Sequence, residues 1–515
     1  MPNIKTVLIS VYDKTGLVEF AQQLSGLGIN IISTGGTSKV LKENNIDHLQ
    51  VEDITKFPEV MGGRVKTLHP NVFMGILARR DSDDHAGTLK EYDLSGIDMV
   101  VVNLYPFLET INKPGVTIEE AIEQIDIGGV ALLRAAGKNY RDVVAVTSPE
   151  KYYKIIERLT ADNNEISVEE SLKYSADVFN ITASYDSCIA DYLRTQADPD
   201  EMFTEKYSLN LERVQLLRYG ENPHQEAAYY KKARVDLPYE QLHGKELSYN
   251  NLIDIDSAIA MPKTFDEPAV AIIKHTNPCG VALGENLEEA FDRALSTDPI
   301  SAFGGIIGCN RALDPATAEK ISKMFVEVVV APEFEEEAFN ILTKKKNLRL
   351  IKLKDIKSDS DNFELKTVRG GILVQERDTK LPDRSQYKVV TSRTPDEEEW
   401  KALLFGWNVI KYVKSNAILF CNANQTVGIG TGQMSRVDSS EIAIMKAKKS
   451  GLELKGSVII SDAFFPFRDG IDVAAAEGVT AVIQPGGSIR DEEVIAAAEE
   501  HKMAMVFTGT RHFRH

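Results

Sequence analysis

Cysteine and positive charge are both in short supply. The 515-residue chain has only four cysteines, Cys188, Cys279, Cys309 and Cys421. They are too few and too scattered for a disulfide framework, so a reducing, cytoplasmic setting is expected. With 59 Lys and Arg against 77 Asp and Glu, the formal net charge of -18 excludes general nucleic-acid binding, which rests on neutralising phosphates. An anionic ligand must therefore be drawn by local positive clusters. No apolar run approaches the roughly 18 residues that span a bilayer. The opening MPNIKTVLISVYDKTG reads as a first strand and not as a signal peptide.

Metal-ligand patterns are missing too. A zinc-deaminase signature needs H-x-E and later P-C-x-x-C. Here Asn277 stands where the Glu would follow His275, and Ala282 where the second Cys would follow Pro278-Cys279. There is no HExxH, so no catalytic metal is expected. The basic stretch Lys344-Lys345-Lys346 lies near acidic Glu335-Glu336-Glu337 and reads as a solvated face.

What is present is an alternation of strands and helices. Residues 4–10 are an apolar β-branched run, and Leu17, Phe20, Ala21 and Leu24 then recur at helical spacing. Strands are expected near 29–33, 97–102 and 143–147, with a helix opening at Asp126-Ile127-Gly128-Gly129. Such alternation implies a parallel sheet whose ligands bind beyond the carboxyl ends of its strands. The polar, acidic stretch 195–206 marks a boundary, giving domains 1–196 and 197–515. Beyond it strands are expected near 269–273, 305–308, 425–429, 457–461, 479–483 and 503–508. Two blocks, Lys274–Gly280 and Gly428–Arg436, look loosely alike as strand exits and hint at a duplication.

Several segments concentrate ligand-binding chemistry. Gly62-Gly63-Arg64-Val65-Lys66-Thr67 joins two cations and a hydroxyl to glycines that permit close approach. Thr34-Gly35-Gly36-Thr37 at a helix start can cradle phosphate through backbone N–H groups or be a tight turn. Together with Lys14 they point to a phosphorylated ligand. Asp126 and Lys138 bracket one helix and stand roughly 18 Å apart along it. Both reach one ligand only if that helix breaks or the site is elongated. In the second half Lys274 and His275 leave a strand, with the turn expected at Asn277-Pro278. Phe464, Phe465 and Phe467 can stack on a flat heterocycle or pack a core, and Gly486-Gly487-Ser488, before a helix rich in Asp491 and Glu492, can form an anion or carboxylate nest.

In order, SVYDKTG, GGRVKTLHP, NLYPF, QIDIGG and LLRAAGKN, then LRYGENPHQ, KHTNPCG, GIGTGQMSR, SDAFFPFRDG and FTGTRHFRH resemble the bifunctional phosphoribosylaminoimidazolecarboxamide formyltransferase / IMP cyclohydrolase family of purine biosynthesis. The resemblance runs along essentially the whole chain. It implies an α/β architecture: a methylglyoxal-synthase-like first domain, then duplicated cytidine-deaminase-like subdomains without zinc. It also implies a homodimer with transformylase sites at the subunit interface, and 10-formyltetrahydrofolate as cosubstrate. Small-molecule substrates are expected, with neither nucleic acid nor membrane as partner. Carried over by motif, Tyr12, Asp13, Lys14, Thr34, Gly35, Gly36, Thr37, Arg64, Val65, Lys66, Thr67, Asn103, Leu104, Asp126 and Ile127 hold the nucleotide of the first site. Lys138 is its proton-transfer residue, with Tyr105 and Asp126 near the closing ring; how Lys66 and Lys138 divide charge stabilisation and proton transfer is open. In the second site Arg218, Tyr219, Lys274, His275, Gly304, Glu327, Asn416 and Arg436 serve the aminoimidazole ribonucleotide, while Val437, Phe464, Ser488, Ile489 and Arg511 serve the folate. Two positions depart from the family pattern: Glu327, where relatives can carry Asp, and Gly470, where they can carry Asn. The alternative to a bifunctional enzyme is a transformylase whose first domain is a regulatory nucleotide-binding module.

Overall fold

The computed structural model describes residues 3–233, 235–354, 363–380 and 384–515, and the chain parts into two compact units, Met1–Asn210 and Leu211–His515. The helix Val168–Ala197 ends inside the polar stretch where the sequence places its boundary.

In the first unit, apolar β-branched runs build β1 (Thr6–Val11), β2 (Asn30–Ser33), β3 (Leu49–Gln50), β4 (Met99–Asn103) and β5 (Val144–Val146). All neighbours pair in parallel, in the order β3-β2-β1-β4-β5. Adjacent strand residues point to opposite faces, and both faces are covered, as parallel sheets require. Val7, Ile9, Met99 and Val101 pack against Leu17, Phe20 and Leu24 of the helix Leu17–Gly26. Leu8, Val100 and Val102 pack against Leu132, Leu133 and Ala136 of the helix Gly128–Lys138. Val168–Ala197 lies against that second helix, where the Ser175 hydroxyl donates to the Gly137 carbonyl at 2.7 Å.

The second unit continues with β6 (Leu211–Leu217), β7 (Ala227–Lys232), β8 (Tyr239–His243), β9 (Ala269–Lys274), β10 (Asn277–Leu283), β11 (Ile306–Cys309), β12 (Val328–Ala331) and β13 (Arg349–Leu353). Then come β14 (Phe363–Val368), β15 (Gly371–Glu376), β16 (Lys388–Val389), β17 (Ile418–Asn422), β18 (Gln425–Gly430), β19 (Val458–Ser461), β20 (Ala481–Gln484) and β21 (Ala504–Phe507). Two hairpins, β6–β7 and β14–β15, stand apart from one large sheet of order β16-β21-β20-β19-β17-β18-β10-β9-β11-β12-β13-β8.

That order contains one topology twice. From β10 outward, β9 and β11 pair antiparallel, β11, β12 and β13 pair parallel, and β8 closes antiparallel. From β18 outward, β17, β19, β20, β21 and β16 repeat the pattern. The loose likeness noted in the sequence is thus a repeat of topology. It is faint in sequence because the halves share pairing directions and burial, which many residue sets satisfy. The halves join where β10 meets β18, with Ala282 opposite Gln425. There the buried Thr426 hydroxyl accepts from the Val281 amide at 3.0 Å. In both halves a strand glycine lets a helix backbone lie directly on the sheet. A Cβ on Gly280 would meet the Ala294 carbonyl, and one on Gly428 would stand 2.6 Å from the Ala443 carbonyl oxygen.

Asn277-Pro278, where the sequence places a turn, is the start of β10. The hairpin turn falls two residues earlier. No helix among the described residues is long and apolar enough to cross a membrane.

Candidate functional site

The first unit gathers its polar strand exits at the carboxyl edge of the sheet. The Asn103 side chain, at the end of β4, accepts from the amides of Tyr12 (2.6 Å) and Asp13 (2.9 Å) and donates back to the Asp13 carbonyl at 3.0 Å. It thereby fixes the loop after β1. Thr37, on the helix Gly35–Glu43, accepts from the Val11 amide and donates to the Val11 carbonyl, both at 3.1 Å. The cradle Thr34–Thr37 is therefore tied to β1 by a side chain that is itself buried. Lys14 is folded back onto the Val11 and Tyr12 carbonyls, and burial lowers its pKa from the usual lysine range.

The glycine-rich loop closes over this edge. Lys66 Nζ lies where a Cβ on Gly35 would be, and is 3.4 Å from a Glu59 carboxylate oxygen. Thr67 is buried, with its hydroxyl against Gly128 at the start of the next helix. Arg64 is held by Glu123 in an exposed ion pair. Val65 is half-exposed, and Leu104 packs partly beneath the site.

Asp126 is buried, its carboxylate accepting from the Gly129 amide at 2.6 Å. Burial raises its pKa, opposed by backbone N–H groups of Gly129 and Tyr105. Tyr105 is likewise shifted upward, by burial and then by the negative charge of Asp126. Its ring meets that of Tyr12 edge-on at 5.7 Å, and Ile127 is exposed beside them. The sequence misses Tyr185, which holds this corner: its hydroxyl accepts from the Asp126 amide at 2.9 Å and donates to the Gln124 carbonyl at 2.7 Å. A tyrosine sixty residues away on a long helix gives no local signal of that task.

Lys138 is not brought to this cluster within the unit. Gly128–Lys138 is an uninterrupted helix, so Lys138 stands about 16 Å from its start. It is exposed at the opposite edge of the sheet, beside Asn139, which donates to the Ile76 and Ala78 carbonyls. The helix does not break, which was one of the two ways Asp126 and Lys138 could share a ligand.

In the second unit a cavity of about 1020 Å³ is lined by Arg218, Tyr219, Asp254, Lys274, His275, Gly304 and Glu327. Lys274 closes β9, with its Nζ donating to the Phe303 carbonyl at 2.7 Å. His275 and Thr276 form the two-residue turn into β10, with φ of 53° and 65°. Two positive φ values are the signature of a type I′ hairpin turn, which usually takes Asn or Gly. The sequence places this turn at Asn277-Pro278 because neither His nor Thr advertises positive φ. Asn277 instead ties the turn to the other half, its side-chain oxygen accepting from the Lys414 amide at 3.0 Å and the Thr431 hydroxyl at 2.7 Å.

Arg218 lies over its neighbour Tyr219, guanidinium carbon 4.8 Å from the ring centroid. Glu327 is paired with buried Arg349 at 2.6 Å, which an aspartate, one methylene shorter, would reach less easily. Lys345 and Lys346 line this cavity; their stretch is thus a wall of the cavity and not merely a solvated face.

The other residues assigned to this site lie at the same sheet edge but across the seam. Asn416 precedes β17, its side chain donating to the Gln433 carbonyl at 2.9 Å. Three strand spacings separate β9 from β17, roughly 14 Å. Arg436 donates to the fully buried Asp462 at 2.9 Å and to the Ser461 hydroxyl at 3.1 Å, with Val437 following on the same helix. Phe464 is exposed, whereas Phe465 is buried in the core; of the phenylalanine trio only Phe464 and Phe467 can meet a ligand. Phe465 also explains Gly470: a Cβ there would stand 2.6 Å from its ring. Ile489 is fully exposed, and Arg511 lies 4.7 Å over the Phe513 ring. The nest at Gly487-Ser488 is filled from within, because the Asp491 carboxylate accepts from both amides, at 2.7 and 3.1 Å.

Burial pushes the Cys279 and Cys309 thiols up to about 12, which disfavours the thiolate form. No group of three or more His, Cys, Asp or Glu among the described residues is placed to hold a metal.

Residues 16–131 match the family model of the MGS-like domain, and residues 136–446 match that of the AICARFT/IMPCHase bienzyme. A solved structure titled "Crystal structure of ForH" is 31% identical, covering 36% of this chain and 95% of its own, with a TM-score of 0.34. With a parallel-sheet unit ahead of a mixed-sheet unit, and a bienzyme model spanning most of the chain, the protein belongs to the AICARFT/IMPCHase bienzyme family and is a formyltransferase and IMP cyclohydrolase of purine biosynthesis.

Proposed function

We propose that formyl transfer is run from the Lys274–His275 turn and cyclisation from the Lys66–Tyr105–Asp126 cluster. The observation that carries the first half is the position of His275, exposed on the wall of the large cavity and held at a hairpin turn. The substrate amine is conjugated with an imidazole and is a weak nucleophile. As its nitrogen bonds to the formyl carbon of 10-formyltetrahydrofolate, the amine proton passes to His275, which returns it to the folate nitrogen as the bond from that nitrogen to the formyl carbon breaks. Lys274 stabilises the oxyanion that forms on the formyl oxygen. Arg218 and Tyr219 hold the ribonucleotide, and Asn416 orients an amide or formyl group.

Cyclisation needs the carboxamide nitrogen brought onto the formyl carbon, an oxyanion stabilised and water expelled. Lys66 supplies the charge. Asp126 and Tyr105, both shifted upward by burial, are suited to hold and pass protons. The Thr34–Thr37 cradle takes the phosphate through N–H groups at a helix start.

The upward shift of Asp126 has a consequence for stability. A carboxyl that is harder to ionise folded than unfolded binds more protons in the native state, so stability falls as pH rises above its unfolded value, near 3.9. Thermal unfolding of Asp126→Asn should therefore gain on the parent as pH climbs from about 4 to 7. A parallel pair of Tm curves would contradict the shift.

We further propose a cytoplasmic homodimer whose formyl-transfer sites are completed across the subunit interface. Four free thiols fit a reducing setting, and Met434, Phe464 and Ile489 expose apolar surface at the edge that carries Asn416. The test mixes two inactive proteins, His275→Ala and Asn416→Ala, under subunit exchange. Sites shared between subunits regain formyl transfer in the mixture. Heterodimers proved by mass and still inactive would refute the arrangement.

A further inference from the structure

The duplicated topology supplies an internal control for the His275 turn. In the first half, the helix Tyr249–Lys263 begins with a capping box at Ser248 and Asn251. In the second, Glu397–Ile410 begins with one at Asp396 and Glu399. Counting six residues from each N-cap places Asp254 and Ala402 at matching positions. The hairpin turns match too: His275-Thr276 between β9 and β10, Ala423-Asn424 between β17 and β18. Asp254 lines the cavity that holds His275, and Ala402 lines a pocket of about 480 Å³ beside Ala423 and Asn424.

The matched turns differ in backbone conformation and in what holds them. His275 and Thr276 both have positive φ, whereas Ala423 and Asn424 do not. At the second turn the Asn424 amide donates to the Asn422 side chain at 3.0 Å; the first turn is instead held by a carboxylate that reaches both of its amides. Asp254 accepts from the His275 amide at 3.2 Å and from the Thr276 amide at 2.6 Å. Non-glycine residues at positive φ are disfavoured by sterics, and such a conformation persists where the surroundings over-determine it. A carboxylate that takes both amide protons does so here.

We infer that Asp254 is a positioning residue for formyl transfer: by clamping the His275 and Thr276 amides it holds the imidazole at the angle from which it receives the amine proton. This rests on the assignment of His275 as the base. Asp254 acts through the turn.

The experiment compares Asp254→Ala, His275→Ala, the double variant and Asp254→Ala/Thr276→Gly in the full-length protein, with cyclisation rate as the control for an intact chain. Misplacing a reacting group by about 1 Å costs on the order of 10²-fold. Asp254→Ala should lower kcat by roughly that factor with little change in KM for the ribonucleotide. Glycine at position 276 adopts positive φ freely, so it should restore part of the lost kcat. The double variant should be no slower than His275→Ala, because nothing remains to position. If His275→Ala is slow while Asp254→Ala runs at the parent rate, the clamp is refuted and the base stands. If His275→Ala itself runs normally, the base assignment fails whatever Asp254 does. An Asp254→Ala loss that glycine at 276 leaves unrepaired, or that adds to the His275 loss, would overturn a role through the turn.

Discussion

Replacing His275 by alanine is expected to abolish most formyl transfer, a fall of roughly 10²–10⁴-fold, the range typical of a lost general base. Cyclisation of supplied formylated ribonucleotide should continue at the parent rate, because the cluster proposed for cyclisation belongs to the other compact unit. The size of the effect follows from the substrate: a conjugated amine gains nucleophilicity only as its proton leaves, and water cannot be oriented for that task by an empty turn. Lys274 would remain, with its ammonium held at the Phe303 carbonyl, but an ammonium accepts no proton. A spectrophotometric assay of each half-reaction separates the outcomes. Near-parent formyl transfer by His275→Ala would exclude the role.

Lys66→Ala is the second large effect, expected on cyclisation alone. Its side chain is 20% exposed, with the ammonium against the Gly35 cradle and beside Glu59. There a fixed positive charge is worth more than in water, and removing one oxyanion stabiliser costs roughly 10²–10³-fold. Lys138→Ala is the informative partner. If the helix end stays where this unit puts it, Lys138→Ala should leave cyclisation far less damaged than Lys66→Ala. An equal loss from both would show that Lys138 reaches the reacting ring in the assembled enzyme, and would return proton transfer to it.

The strand exits of the first unit were legible because period and polarity change together there: IKTVLIS gives way to Tyr12-Asp13-Lys14 and VVV to Asn103-Leu104-Tyr105. The Lys274-His275 corner could be read for the same reason. Its geometry could not, since the turn uses His and Thr where Gly or Asn is the usual sign, and the residue that compensates, Asp254, lies on a helix twenty residues earlier. β12, β13 and β17 escaped notice as short apolar runs that periodicity alone does not separate from buried helix. Gly487-Ser488 is a carboxylate nest, one of the two kinds the sequence allows. What the sequence leaves open is that the carboxylate is the chain's own, Asp491, three residues on.

The seam between β10 and β18 has a further implication. Every residue of β18 is buried, and in β10 all but the first are. Were the halves parted, each would bare a buried apolar margin, the kind of edge that recruits foreign strands and drives aggregation. The trailing copy has an alanine where the leading copy has its histidine, yet it covers the flank of β10 and keeps that margin out of water.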